Sequence, residues 1–149
     1  MRSRVLDRAG GLPELVVEDS PAAADVALLE DQVAAAAIAA TGSAAEQEFG
    51  IFARGDDGRI MAGITGIVWG GYCELQAMWV EESLRHRGLA HALIAGAEAE
   101  ARRRGCALVV FHAYDQLARG LYDRLGYETV AVIDDVPAGS AARWYRKIL

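Results

Sequence analysis

Cysteine is scarce in this chain of 149 residues. The two present, Cys73 and Cys106, lie far apart, with no CxxC spacing and no histidine pair beside either. That pattern gives no basis for a disulfide framework or a zinc site, so no metal is expected and a reducing compartment is. Positive charge is also short: 15 Lys and Arg against 21 Asp and Glu leave a net charge of -6. A broad phosphate-contacting surface for nucleic acid is therefore not expected. A cationic partner would suit the balance. Long hydrophobic runs are missing as well. The most apolar stretch, Val33 to Ala40, follows Glu30 and Asp31 and is far shorter than the roughly 20 residues of a membrane span. The opening MRSRVLDRAGG has no apolar core of a secretory signal, and the cytoplasm is the expected location. No repeat and no long polar linker is evident.

What is present is enough for one core. At 53% hydrophobic and 24% charged residues, the chain reads as a single domain over 1–149, of a size that buries roughly 68–70% of its unfolded surface. Leu15-Val16-Val17 reads as a first strand. Asp19-Ser20-Pro21 then looks like a helix start, with Val26, Leu29 and Val33 at helical spacing and a stop at Thr41-Gly42-Ser43. From Phe49 the period becomes that of strands. Phe49 to Ala53 and Ile60 to Trp69 flank Asp56-Asp57-Gly58, a hairpin signal, and Gly70-Gly71 turns the chain into Tyr72 to Val80.

The second half predicts a helix from Leu89 to Arg104, closed by Gly105, with basic residues at the negative end of its dipole. A buried strand follows at Ala107 to Phe111, then a short helix over Gln116 to Leu125, then strands at Tyr127 to Ile133 and Arg143 to Ile148. The expected fold is α/β: a mixed, mostly antiparallel central sheet of about six to seven strands with helices on both faces. Edge strands invite pairing, and a homodimer could form by pairing of the last strand or by extension of the sheet.

The most informative segment runs from Trp79 to Ala90, where a strand enters a short loop and a helix starts directly after Gly88. The first N–H groups of a helix have no internal partner, and the dipole places partial positive charge there. Gly88 lets an anion approach the backbone, Ala90 is nearly as small, and Arg85 and Arg87 add charge. That is the recipe for a pyrophosphate cradle. No GK[ST] or GxGxxG is present, so the loop is neither a P-loop nor a Rossmann turn.

Arg85-x-x-Gly88-x-Ala90 after an apolar strand resembles the [Q/R]xxGx[G/A] acetyl-CoA loop of the GNAT N-acetyltransferase superfamily. The segment from Ala118 to Tyr127, with Tyr122, Arg124 and Gly126, is similar to that family's A-x-x-[FL]-Y-x-[KR]-x-G-[FY] segment. Asp135-Val136-Pro137-Ala138-Gly139 followed by Arg143 to Lys147 also resembles its small bacterial members. The resemblance implies the acyl-CoA N-acyltransferase fold, acetyl-CoA as acyl-donor co-substrate, and an amine acceptor.

Carried over residue by residue, the resemblance implies that the backbone of Met78, Trp79 and Val80 pairs with the pantetheine arm. It implies that the N–H groups of His86, Arg87, Gly88, Leu89 and Ala90 hold the pyrophosphate, with His91 at the rim. Tyr122 falls on the tyrosine that protonates the departing thiolate. Asp115 stands where many members carry Asn or Ser for a cofactor contact.

Transfer from a thioester to an amine needs a neutral amine, a polarised carbonyl and a stabilised thiolate. The N–H of Met78 could polarise the carbonyl. Glu74 could act as general base, directly or through water; strand alternation gives it the facing of Gln76 and Met78. His112 is the other candidate base. Trp69, Trp79 and Trp144 read as packing residues. A non-catalytic acyl-CoA-binding module, sensory or structural, is the rival expectation from another class.

Overall fold

The computed structural model describes residues 3–6, 13–115 and 120–149. They fall into two compact units, Met1–Ser43 and Ala44–Leu149. In the first, β1 (Ser3–Leu6) pairs antiparallel with β2 (Leu15–Glu18). A helix follows, α1 (Ala23–Thr41). Its start differs from the expected Asp19-Ser20-Pro21 signal. Ala22 is the cap, with no side-chain cap bond, and its carbonyl accepts from the N–H groups of Asp25 and Val26 at 3.0 and 3.2 Å. Asp25 supplies the negative charge in the first turn. At the other end the N–H of Gly42 closes on the carbonyl of Ile38 at 2.8 Å.

The second unit is a six-stranded sheet in the order β3-β4-β5-β6-β8-β7. Its strands are β3 (Gln47–Arg54), β4 (Ile60–Trp69), β5 (Tyr72–Val80), β6 (Leu108–Tyr114), β7 (Glu128–Asp134) and β8 (Ala141–Ile148). All neighbours are antiparallel except β5 and β6. The last strand, β8, is paired on both sides, so it offers no free edge for dimerisation; β3 and β7 are the edges. Among the described residues no helix is long and apolar enough to cross a membrane.

Two helices share one face of this sheet: α2 (Leu89–Arg103) and the short α3 (Leu121–Arg124). Leu93, Ile94, Ala97 and Ala101 of α2 and Tyr122 of α3 join Ala62, Ile64, Cys73, Val109, Phe111 and Tyr145 of the strands in one buried cluster. Full burial of an aliphatic side chain such as Ile64 or Ile94 is worth about 1.5–3 kcal/mol. Burial pushes the Cys73 thiol up to about 12, with Cys106 adding to the effect. Both cysteines are free and buried, and behave as small apolar residues.

One charged group enters this core. Glu98 of α2 is 7% exposed. Lys147 of β8 donates to both its carboxylate oxygens, at 2.9 and 3.0 Å, and to the carbonyl of Leu125 at 2.8 Å. The hydroxyl of Tyr127 donates to Glu98 at 3.0 Å. The ammonium thus ties α2, the end of α3 and β8 together. Replacing Lys147 by Met leaves the buried carboxylate with only the longer cation contact, to Arg102 at 3.9 Å. Urea denaturation is expected to show a loss of about 3 kcal/mol for Lys147→Met. Arg146→Met, which removes an exposed partner of Glu128, is expected to cost less than about 1 kcal/mol.

Candidate active site

The site begins where two central strands part. β5 and β6 pair in parallel over three positions, Tyr72 with Leu108, Cys73 with Val109 and Glu74 with Val110. Beyond Glu74, β5 continues to Val80 beside β4 alone. The direction of its backbone groups follows from one bond: the N–H of Glu81 donates to the carbonyl of Met61, on the β4 side, at 2.9 Å. Backbone groups alternate sides along a strand. Trp79 and Ala77 therefore also face β4, while the N–H and C=O of Met78 and Val80 face the gap. Trp79 thus has no backbone group there for a pantetheine arm, and the pairing implied for Met78 and Val80 has the right direction.

A β-bulge lies in the same stretch. Thr65 opposes Ala77 and Gly66 opposes Leu75, so Gln76 is the extra residue. The bulge reverses the alternation. Met78 opposes Ile64 and packs against the buried cluster, whereas Glu74 opposes Ile67 on the other face. The expected common facing of Glu74, Gln76 and Met78 is thereby corrected. Trp79, expected in the core, is 50% exposed, and the reversal puts it on the face of Glu74. Gly66 marks the spot: a Cβ there would stand 2.8 Å from the Phe49 ring and 2.9 Å from the carbonyl oxygen of Glu74. Glycine inside an apolar strand is the sequence signal for such a close approach.

After Val80 the chain makes a 3₁₀ turn, Glu82–Leu84, and reaches the loop before α2. Gly88 is the helix cap with φ +81, and beyond its own chain neighbours no heavy atom lies within 4 Å of where its Cβ would be. His86 also has a positive φ, of 60°. Among the described residues the N–H groups of Arg87 to His91 have no hydrogen-bond acceptor; the first to find one is that of Ala92, which donates to the carbonyl of Gly88 at 3.0 Å. Free donors, the helix dipole and open space over a glycine fit a pyrophosphate. Arg85 has a role the sequence did not disclose. Its Nε donates to the carbonyl of Val80 at 3.1 Å, which ties the loop to the end of the parted strand. Arg87, His86 and His91 are exposed.

Tyr122 closes the inner end of the gap. A small cavity of about 60 Å³ is lined by Gln76, Ala77, Met78, Phe111, His112 and Tyr122, among others. The Tyr122 ring packs on Phe111 at 4.4 Å and Tyr145 at 5.1 Å between centroids. Its hydroxyl has no hydrogen-bond partner among the described residues. Burial, and secondarily Tyr145, pushes its pKa above 10, so it keeps its proton at neutral pH. Glu74 lines a separate depression on the opposite face with Tyr72, Val110, His112 and Trp144. Both candidate bases thus line one depression, and His112 and Phe111 line the small cavity too. Asp115 is engaged by Arg143, whose Nε and Nη2 bond its two carboxylate oxygens, the latter at 3.1 Å. Ala118 and Arg119 of the second motif lie outside the described residues.

A strand–loop–helix with free N–H donors at the helix start, opening into a gap between parted strands on a mixed sheet of this order, is the architecture expected of an acyltransferase. The profile of the acetyltransferase (GNAT) family matches residues 15–127, and the chain belongs to that family. An acetyltransferase of Agrobacterium fabrum is 29% identical over 119 residues, 80% of this chain and 87% of that one. A blasticidin-S acetyltransferase of Streptomyces morookaense is 36% identical over 92 residues, 61% of this chain and 68% of that one. Among solved structures, a protein of Agrobacterium tumefaciens described as an acetyltransferase superposes with a TM-score of 0.85 at 27% identity, covering 91% of this chain and 98% of that one. Acetyltransferases sharing the fold at 16% and 20% identity have been solved with acetyl-CoA and with CoA. The protein is an acetyltransferase.

The loop geometry makes a direct prediction. Gly88→Val puts a β-branched side chain at positive φ and fills the open space over the donors. Calorimetric titration with acetyl-CoA should show an affinity loss of at least about tenfold in a protein that still unfolds cooperatively. Unaltered affinity in folded Gly88→Val would remove the loop from the binding site.

Proposed function

We propose that the protein moves an acetyl group from acetyl-CoA to a primary amine by direct attack in a ternary complex. What supports this reading is that Met78 and Tyr122 line one small cavity, beside the parted strand whose end leads into the free N–H donors of Arg87 to His91. Acetyl-CoA supplies an activated acyl group and a thiolate leaving group. The loop N–H groups would hold its pyrophosphate, and the backbone of Met78 and Val80 its pantetheine arm.

The chemistry assigned to the chain follows from these positions. The N–H of Met78 stabilises negative charge developing on the thioester carbonyl oxygen, an effect worth about 3–4 kcal/mol per donor. Glu74 accepts the proton of the attacking ammonium, directly or through water. The amine nitrogen forms the new C–N bond as the C–S bond breaks and sheds its second proton to water. Tyr122 gives its proton to the departing sulfur and regains one from solvent, and Glu74 releases its proton to solvent, which closes the cycle. An ammonium and acetyl-CoA thus give an amide, the CoA thiol and one free proton. His112 is the second candidate base, because it lines both the depression of Glu74 and the cavity of Tyr122.

The acceptor belongs to the wider class of amines. Blasticidin-S acetyltransferase is a relative named for an antibiotic substrate, which supports a small-molecule amine over a protein lysine. The cytoplasm, where acetyl-CoA is made and used, is the location this reading implies.

Tyr122→Phe tests the mechanism. Turnover, followed by free-thiol release, should fall about 10²- to 10⁴-fold, while the Kd for acetyl-CoA stays within about twofold because the hydroxyl acts only as the bond to sulfur breaks. Since the pKa of Tyr122 is raised above 10, its ionisation should produce no alkaline fall in kcat below pH 10. Equal turnover in the variant would take Tyr122 out of the mechanism. Binding of acetyl-CoA by the wild-type protein without turnover on any amine would favour the non-catalytic acyl-CoA-binding module instead.

A further inference from the structure

The depression that holds Glu74 is larger and differently built than the cavity beside Tyr122. Its volume is about 470 Å³, and it lies on the sheet face opposite α2. The alternation that buries Cys73, Val109, Phe111 and Tyr145 against the helix turns Tyr72, Glu74, Val110, His112 and Trp144 to this side. Trp144 stacks on His112, with ring centroids 5.0 Å apart and planes at 22°. Tyr72 is braced edge-on by Trp69 at 6.2 Å. The walls are therefore aromatic faces held in place by other rings.

The charge is one-sided. Among the described residues no Lys or Arg lines the depression. Arg146, on the same face of β8, is engaged by Glu128. Glu74 forms no ion pair among the described residues, and neither does Glu46, which precedes β3. Both carboxylates act on the Tyr72 phenol: burial raises its pKa first, and Glu74 and Glu46 raise it further. Two carboxylates without an ion pair among the described residues, beside half-buried aromatic rings, form an environment suited to organic cations, through charge attraction and through the ring quadrupole.

We propose that this depression is the acceptor pocket and that it selects amines carrying a second positive charge, such as a guanidinium or another ammonium. This rests on the acetyl-transfer reading above. The second charge sits between the Trp144 and Tyr72 walls under the field of Glu46 and Glu74. The reacting amine reaches past His112, which lines both spaces, toward the carbonyl at Met78. Trp144, Tyr72 and Glu46 are specificity residues in this scheme and take no part in the chemical step.

The test uses agmatine and hexamethylenediamine, each compared with hexylamine, which has a tail of similar length and no second charge. Binding is measured by calorimetry on the CoA-saturated protein, and turnover by thiol release with acetyl-CoA. The doubly charged amines should bind about tenfold tighter, with the advantage appearing in KM and not in kcat. Trp144→Leu should erase most of that advantage, read as the ratio of doubly to singly charged amine affinity, while leaving acetyl-CoA binding within about twofold. Glu46→Gln, at an exposed position, should reduce it severalfold and weaken its salt dependence, and serves if Trp144→Leu does not fold. Equal binding of the singly and doubly charged amines, or no binding of either, overturns the cation pocket. Charge-selective binding with no thiol release overturns acetyl transfer and leaves a cation site. Thiol release without charge selectivity does the reverse.

Discussion

Everything in this molecule that bears on catalysis depends on where β5 and β6 stop pairing. Three parallel pairs join them, ending at Glu74 and Val110. Beyond that, a strand in the middle of a sheet is left with one side open. A backbone N–H or C=O without a partner is costly when water is excluded, of the order of 1–3 kcal/mol per group. The open side can therefore pair with a ligand that bonds like a strand, and in the proposed mechanism the amides of a pantetheine arm fill that role. The neighbouring features serve the same opening. Arg85 takes the carbonyl of Val80 at the outer end, and the Tyr122 ring fills the inner end against Phe111 and Tyr145.

The bulge at Gln76 divides the site into two sides. Without it, Glu74 and Met78 would share a face, and in the proposed mechanism the base would crowd the backbone assigned to the donor. With it, Met78 turns its side chain into the core while Glu74 faces the aromatic depression. In the proposed mechanism, donor and acceptor then approach the reacting carbon from opposite sides of the sheet. His112, stacked on Trp144, borders both spaces. The buried Glu98–Lys147 pair holds α2 against β8 from behind, and so fixes the loop donors at the start of α2 relative to the strands they serve.

Much of this was legible in the chain, for reasons that are local. The boundaries of β4 and β5 follow from alternation between glycine turns, and the Arg85–Ala90 loop is a short contiguous signal. Other features are set by contacts between distant residues. One inserted residue in β5 leaves no mark on alternation except Gly66 across the ladder, so the facings of Met78 and Trp79 were inverted. The pairing of Asp115 with Arg143, 28 residues apart, and of Arg85 with a main-chain oxygen could not be read from spacing. The start of α1 moved from Asp19-Ser20 to Ala22 because neither polar side chain caps the helix, and Asp25 completes its first turn instead.

The most direct test of the account is amide hydrogen exchange at single-residue resolution, with and without acetyl-CoA. In the free protein the N–H of Met78 faces the gap without a partner and should exchange quickly, while that of Trp79, which faces β4, should be protected. Acetyl-CoA should slow Met78 and the loop amides from Arg87 to His91 by more than about tenfold, with Trp79 unchanged. Binding that leaves Met78 exchanging freely would contradict the claim that the parted strand receives the donor.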